Sequence, residues 1–213
     1  MFYNLHTHKS AHQENVLEIV NQYPNEFDET ARFFSIGIHP WHIDKDKVNE
    51  YLTIIEAKLQ LENCLALGEC GLDKRIEIPL PIQIEVFEKQ LILANKHKKP
   101  VILHCVSAYQ EVIEIKKRLR IEIPMVIHGF SKNIQVAQSL LDNGFYLSFG
   151  KYLLRNPELS LVFEQVPNAK FLLETDMIEE TIFDVYEKAS SIKGMDLQHT
   201  VESNFKAIFL QKD

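Results

Sequence analysis

The 213-residue sequence predicts an α/β fold, a (β/α)8 TIM-type barrel with a short, distorted or missing eighth strand. Three observations carry that expectation. Seven apolar runs have the length and composition of strands. Most of them are continuously apolar instead of alternating, as expected of parallel strands covered on both faces. Each is followed by a longer segment with helix-like spacing, the repeating unit of a parallel α/β chain. Periodicity alone fits a doubly wound sheet as well, so that alternative stays open at this level.

The first run, "FYNLH", is followed by a helical segment from Ala11 to Tyr23, and "RFFSIGIH" by one from Asp46 to Gln60. After "CLALGE", the segment Ile82 to Lys98 places Ile84, Phe87, Leu91, Leu93 and Ala94 near helical period, which makes one apolar stripe for a covering helix. "PVILHC" leads into Ala108 to Arg120, "PMVIHGF" into Asn133 to Asn143, and "GFYLSFG" into Glu158 to Val166. The "NG" of "LLDNGFYLSF" and the "KKP" of "NKHKKPVILH" end helices as a glycine cap and a proline stop. Beyond the last run, "AKFLLETD", two helical segments, "ETIFDVYEKASSI" and "DLQHTVESNFKAIFLQ", are separated only by "KGM". An eighth strand is therefore missing, very short, or hidden around Asp176 to Ile178.

Length and composition, with 46% hydrophobic and 25% charged residues, suit a single globular domain over residues 1–213. The net charge of −7 argues against a broad basic face for gripping nucleic acid, so an anionic substrate must be drawn by local charge. Neither a signal peptide nor an apolar membrane span is apparent, and a cytoplasmic location is expected, with no membrane contact and no obligate protein partner. Cys64, Cys70 and Cys105 form no CxxC pair and sit in apolar surroundings, which suits reduced, buried thiols.

The chemistry concentrates at the carboxyl ends of the runs, where active sites of barrels and open α/β sheets lie. Five of the nine histidines, His6, His8, His39, His104 and His128, fall there, together with Glu69, Asp73, Glu174 and Asp176. Residues i and i+2 of a strand project to one side, so His6 and His8 can share an ion. His104 and His128 can supply imidazoles to a second ion, Glu69 can bridge the two positions, and Asp176 can complete the first and orient or deprotonate its water. Two divalent ions would make the mouth of an acidic protein locally cationic. Glu174 should alternate away from Asp176 and play a supporting part. His12, His42, His97 and His199 lie in helical or loop contexts as surface residues. Lys9, Lys74, Arg75 and Lys151 follow strand ends, and Lys74 and Arg75 are the first candidates for phosphate contacts, with Asp73 as a site-aligning residue or a helix cap. Trp41, Phe130 and Tyr152 could stack bases near the mouth or pack in the core.

These residues, in this order, resemble the TatD-related metal-dependent hydrolases, a branch of the amidohydrolase-like barrels. The resemblance rests on "NLHTH", "GIHPW", "ALGECGLD", "PVILHC", "IHGFS", "YLSFG", "LLETD" and "ESNFKAIF", which span nearly the whole chain. It implies a barrel in which His6, His8, Glu69 and Asp176 hold one ion and Glu69, His104 and His128 the other, with His39 beside the substrate phosphate. It further implies a Mg²⁺-dependent deoxyribonuclease, 3′ exonuclease-like, acting on DNA ends or single strands through a metal-bound hydroxide, with Asp176, Glu69 and His39 as catalytic residues. Imidazole-rich ligand sets favour Zn²⁺, Mn²⁺ or Fe²⁺ over the Mg²⁺ that the resemblance suggests.

Three departures bear on substrate choice. Asn4 stands where the family has an aspartate able to orient a liganding histidine. Cys105-Val106-Ser107 replaces a polar stretch with arginine, and "MIEETIFDVYE" replaces a longer loop. Alternatives are therefore hydrolysis of a carboxylic ester or amide, such as aminoacyl-tRNA deacylation, or of a small phosphoester, and a metal-binding scaffold without turnover.

Overall fold

The computed structural model describes residues 1–210. In chain order the principal elements are β1 (Phe2–Thr7), β2 (Val16–Gln22), β3 (Phe34–Ile36), α1 (Val48–Leu59), β4 (Cys64–Asp73), α2 (Leu80–Lys96), β5 (Val101–Val106) and α3 (Tyr109–Arg118). There follow β6 (Met125–Ile127), α4 (Ile134–Asp142), β7 (Tyr146–Phe149), α5 (Lys151–Arg155), α6 (Pro157–Gln165), β8 (Phe171–Leu173), α7 (Ile182–Lys193) and α8 (Gln198–Phe209). Two compact units result, one of residues 1–20 with those from 126 onward, the other of residues 21–125.

In the first unit β1 pairs in parallel with β2 (Phe2 opposite Val16), β6 with β7 (Val126 opposite Tyr146) and β7 with β8 (Leu147 opposite Phe171). A parallel bridge from Thr7 to Asp176 continues this pairing past the end of β8. The core there is an aromatic ladder, Phe130–Phe149–Phe163–Phe171, with neighbouring ring centroids 5.6, 4.8 and 4.7 Å apart. The expected eighth strand is not at Asp176–Ile178. It is β2, in the segment expected to be a helix from Ala11 to Tyr23. The competing signal is visible in "VLEIVNQ": Val16, Leu17, Ile19 and Val20 are mostly β-branched and nearly contiguous, which suits a short strand buried on both faces better than a helix stripe. The two tail helices form as expected, and Gly194, with φ +65, ends α7 in the left-handed conformation open to glycine.

In the second unit β3 pairs in parallel with β4 (Ser35 opposite Ala66) and β4 with β5 (Cys70 opposite Leu103). Every residue of β4 is buried. Gly71 has φ +141, and a Cβ there would lie 2.0 Å from the carbonyl oxygen of His104, so only glycine lets β4 approach β5 this closely. The α2 stripe is rotated from the expected one: Gln83, Val86, Phe87, Gln90, Leu91 and Ala94 are buried, whereas Ile84 and Leu93 are half-buried. The two buried glutamines hold strand ends. Gln90 accepts from the Ile38 N–H at 2.7 Å and donates to its carbonyl at 3.1 Å, and Gln83 does the same for Asp73 at 2.8 and 2.9 Å. Two turns of one helix thereby fix the residues next to His39 and the backbone of Asp73.

The cysteines are all buried and unlinked. Burial pushes the thiols of Cys64 and Cys105 up to about 12 and holds that of Cys70 well above the ordinary range. Iodoacetamide at pH 8 is therefore expected to leave all three unmodified until the protein unfolds, as mass spectrometry of the intact chain would show. The sign of the linkage follows. A folded-state pKa above the unfolded value stabilises the protein below about pH 8.5, and that contribution is lost as the pH rises toward 12. Among the described residues no helix is long and apolar enough to cross a membrane.

Candidate metal centres and active site

The first unit gathers histidines at the end of β1. The Asp176 carboxylate lies 3.4 Å from His8 Nε2 and 3.7 Å from His6 Nε2, and the donor atoms of these three residues all fall within 4.8 Å of one another. The His6 ring is 5.1 Å from that of His8 and 4.5 Å from that of His128. Asp176 is held from both sides of its backbone, donating to the His6 carbonyl at 2.9 Å and accepting from the His8 N–H at 3.2 Å. Its φ of +55 is a left-handed conformation that aspartate and asparagine tolerate better than other side chains. The turn carries the carboxylate back over β1.

Glu174 is almost fully buried, with 1% of its surface exposed, and its Oε1 accepts from the Gly129 N–H at 2.7 Å and lies 3.4 Å from His128 Nδ1. A carboxylate at Nδ1 favours the proton there and leaves the Nε2 lone pair for a ligand. This is the supporting part expected of Glu174. Asn4, which stands where the family has an orienting aspartate, is engaged with Thr175. Its side-chain amide donates to Thr175 Oγ1 at 2.8 Å and accepts from the Thr175 N–H at 3.1 Å, which ties β1 to the segment after β8.

The second unit brings together residues of β4 and β5 and of the segment just past β3. His39, Glu69 and His104 offer donor atoms within 4.8 Å of one another. His104 Nδ1 lies 2.9 Å and His39 Nε2 3.2 Å from Glu69 Oε1. The Glu69 N–H is anchored on Asn21 Oδ1 at 2.7 Å. Asp73 Oδ2 accepts the Trp41 indole N–H at 2.9 Å and lies 3.4 Å from His104 Nε2, while Oδ1 accepts the Arg75 N–H at 2.8 Å. Burial pushes the Asp73 carboxyl up, but the Trp41, Arg75 and His104 donors outweigh it and hold it below the ordinary carboxylate value.

The tautomer of His39 follows from its neighbours. Its Nδ1 accepts the Trp41 N–H at 3.1 Å, and burial lowers its pKa, so the neutral ring carries its proton on Nε2 and points it at Glu69. A ring in that state is a hydrogen-bond donor and has no lone pair to offer on Nε2.

Of the candidate residues, His6, His8, His128 and Asp176 lie in one unit, and His39, Glu69, Asp73 and His104 in the other. Lys74 is engaged in an ion pair with Glu111, whereas Arg75 is exposed. Phe130, 1% exposed, belongs to the core ladder and is no stacking platform; Trp41 and Tyr152 are 57% and 45% exposed. Sequence reasoning missed Gln83, Gln90 and Asn21. The available signal was two glutamines seven residues apart on the apolar face of one helix, where an uncharged polar side chain needs fixed partners.

Comparison with known proteins gives one consistent result. A family model described as "TatD related DNase" matches residues 2–210. An uncharacterised metal-dependent hydrolase of Buchnera aphidicola is 30% identical, the match covering 83% of this chain and 76% of that protein. A 3′-5′ ssDNA/RNA exonuclease TatD of Yersinia pseudotuberculosis is 31% identical over 66% of this chain, but only 55% of the exonuclease is spanned. Among solved structures, the TatD homologue YJJV of Escherichia coli superimposes with a TM-score of 0.80 at 21% identity, covering 92% of this chain and 86% of that one. A TatD-family hydrolase of Entamoeba histolytica gives 0.79 at 17% identity, covering 99% and 98%. These likenesses show the fold, the eight-stranded (β/α) barrel class expected from the sequence.

Proposed function

The chain belongs to the TatD-related DNase family, and from that premise we propose that it is a divalent-metal-dependent phosphodiesterase that shortens single-stranded nucleic acid, DNA in the first place, from its 3′ end. The observation that carries this reading is the triad of His6, His8 and Asp176, with its donor atoms within 4.8 Å of one another, together with the Glu69–His104 pair of the second unit at 2.9 Å. Nitrogen and oxygen donors packed this tightly suit Zn²⁺, Mn²⁺ or Mg²⁺. His6, His8 and Asp176, with His128 alongside, would hold one ion, and Glu69 with His104 another. Bound there, such ions polarise phosphoryl oxygens and lower the pKa of water from about 15.7 to about 7.

The remaining chemistry belongs to the chain itself. Asp176 is the base placed to receive a proton from the attacking water. His39, kept neutral by burial and aligned by the Trp41 backbone, holds its Nε2–H on Glu69 and would offer that donor to a phosphate oxygen when Glu69 is engaged by an ion. Asp73 steadies His104 and the Trp41 indole. Arg75, exposed beyond β4, is the cation for the approaching backbone, with Lys74 held back by Glu111. Glu174 keeps His128 in its liganding tautomer.

The test is turnover of a 5′-labelled single-stranded oligonucleotide with Mg²⁺, Mn²⁺ or Zn²⁺. A ladder of products shortened from the 3′ end is expected, lost on chelation. No cleavage with any of the three metals would contradict the proposal. Hydrolysis of carboxylic esters without cleavage of phosphodiesters would replace it with acyl transfer to water.

A further inference from the structure

Beside the His8–Asp176 pair the first unit contains a cavity of about 380 Å³. Its walls are the loop after β1, including Lys9 and Ala11, then Val16 and Glu18 of β2, and residues 177–182. A reciprocal cap between Thr181 and Asp184 starts α7 soon after Asp176, and the short stretch before it lines the cavity. Ligand pockets run from roughly 300 to 1,000 Å³, so this one admits a single nucleoside-sized group and not a length of strand.

Its polarity narrows the occupant. Among the described residues lining it, Lys9 is the only lysine or arginine, against Glu18, Asp176, Glu179 and Glu180. Arg155 neutralises Glu180 through contacts of 2.9 and 3.0 Å. Glu18 accepts from the Ser10 hydroxyl and from the Ala11 N–H at 3.0 and 3.3 Å, which fixes its carboxylate in the wall. Apart from Asp176, which the metal reading engages, and Glu180, which Arg155 neutralises, Glu18 and Glu179 stand against Lys9, so a phosphate here would meet more carboxylate than cation. A neutral ring bearing N–H donors would meet fixed acceptors, with Val16, Ile178 and Ile182 supplying apolar surface for its faces.

We propose that this cavity receives the terminal nucleobase of the strand and favours the amino-bearing bases cytosine and adenine over thymine and uracil. The choice of a nucleobase rests on the nucleic-acid reading above; the place and the preference rest on the cavity and its charge. Carboxylates accept from the exocyclic amino group of cytosine or adenine, whereas thymine and uracil set a carbonyl oxygen at that position and keep a single N3–H donor between two carbonyls. One well-made contact of this kind is worth discrimination on the order of tenfold or more.

The test separates the pocket from the reaction. Free cytidine and uridine are titrated into the protein without added metal, and binding is followed through the methyl resonances of Ile178 and Ile182. Cytidine is expected to shift both and to bind at least about tenfold more tightly than uridine. Ile178→Trp, which fills the cavity from a half-buried position, should abolish the response while leaving other resonances in place. No shift with either nucleoside, or equal affinities for the two, would overturn the proposal. Nucleoside selectivity without oligonucleotide turnover would support the pocket and overturn only the proposed reaction.

Discussion

Asp176→Asn is expected to lower turnover by at least about 10²–10³-fold, the scale of removing one group that stabilises charge at a reacting centre. The substitution isolates chemistry from folding. Asparagine shares the tolerance for a φ of +55, and the backbone contacts of this residue to His6 and His8 do not depend on its side chain. The carboxylate charge beside both imidazoles is lost, and with it a metal ligand and the proposed base. Thermal stability measured by circular dichroism should stay near that of the parent, while kcat falls and the metal dependence shifts to higher concentration. Asp176→Val would be a poor substitute, because a β-branched side chain resists that backbone conformation.

Phe163→Ala is expected to have the largest effect on stability. The ring is fully buried on α6, in edge-to-face contact with Phe149 at 4.8 Å and Phe171 at 4.7 Å, with Lys193 Nζ 5.1 Å from its centre. Truncating such a residue costs roughly 3–5 kcal/mol through lost burial and the cavity left behind. Against a total of about 5–15 kcal/mol this is a large fraction. At about 2–4 °C per kcal/mol for a chain of this size, the melting temperature should fall by on the order of 10 °C. Phe163→Leu, which keeps most of the volume, should recover much of the loss.

The strands that present the site were legible because burial on both faces leaves a contiguous apolar run, and because a polar residue at the carboxyl end of such a run has few structural reasons to be there. His6, His8, Glu69, His104, His128 and Asp176 were all visible on that ground. The strand Val16–Gln22 was missed although its β-branched run was there to be read, because a short apolar run bounded by polar residues also admits a helical period. The single-turn-and-a-half helix Lys151–Arg155 was too short to leave a period at all. Long-range partners were beyond reach of the sequence for a different reason. That Asn4 pairs with Thr175, that Trp41 donates to Asp73, and that Gln83 and Gln90 hold the ends of neighbouring strands are consequences of packing. None of them is implied by local spacing.

The central claim is that these histidines and carboxylates bind metal, and the most direct measurement is metal content per chain. Elemental analysis of protein purified without a polyhistidine tag would be compared with His8→Ala and His104→Ala, one variant in each cluster. The account predicts about two ions in the parent, the number of a two-metal hydrolytic site, and the loss of about one in each variant. A parent that takes up no metal after incubation with Zn²⁺ and Mn²⁺, or variants that keep the full complement, would contradict it.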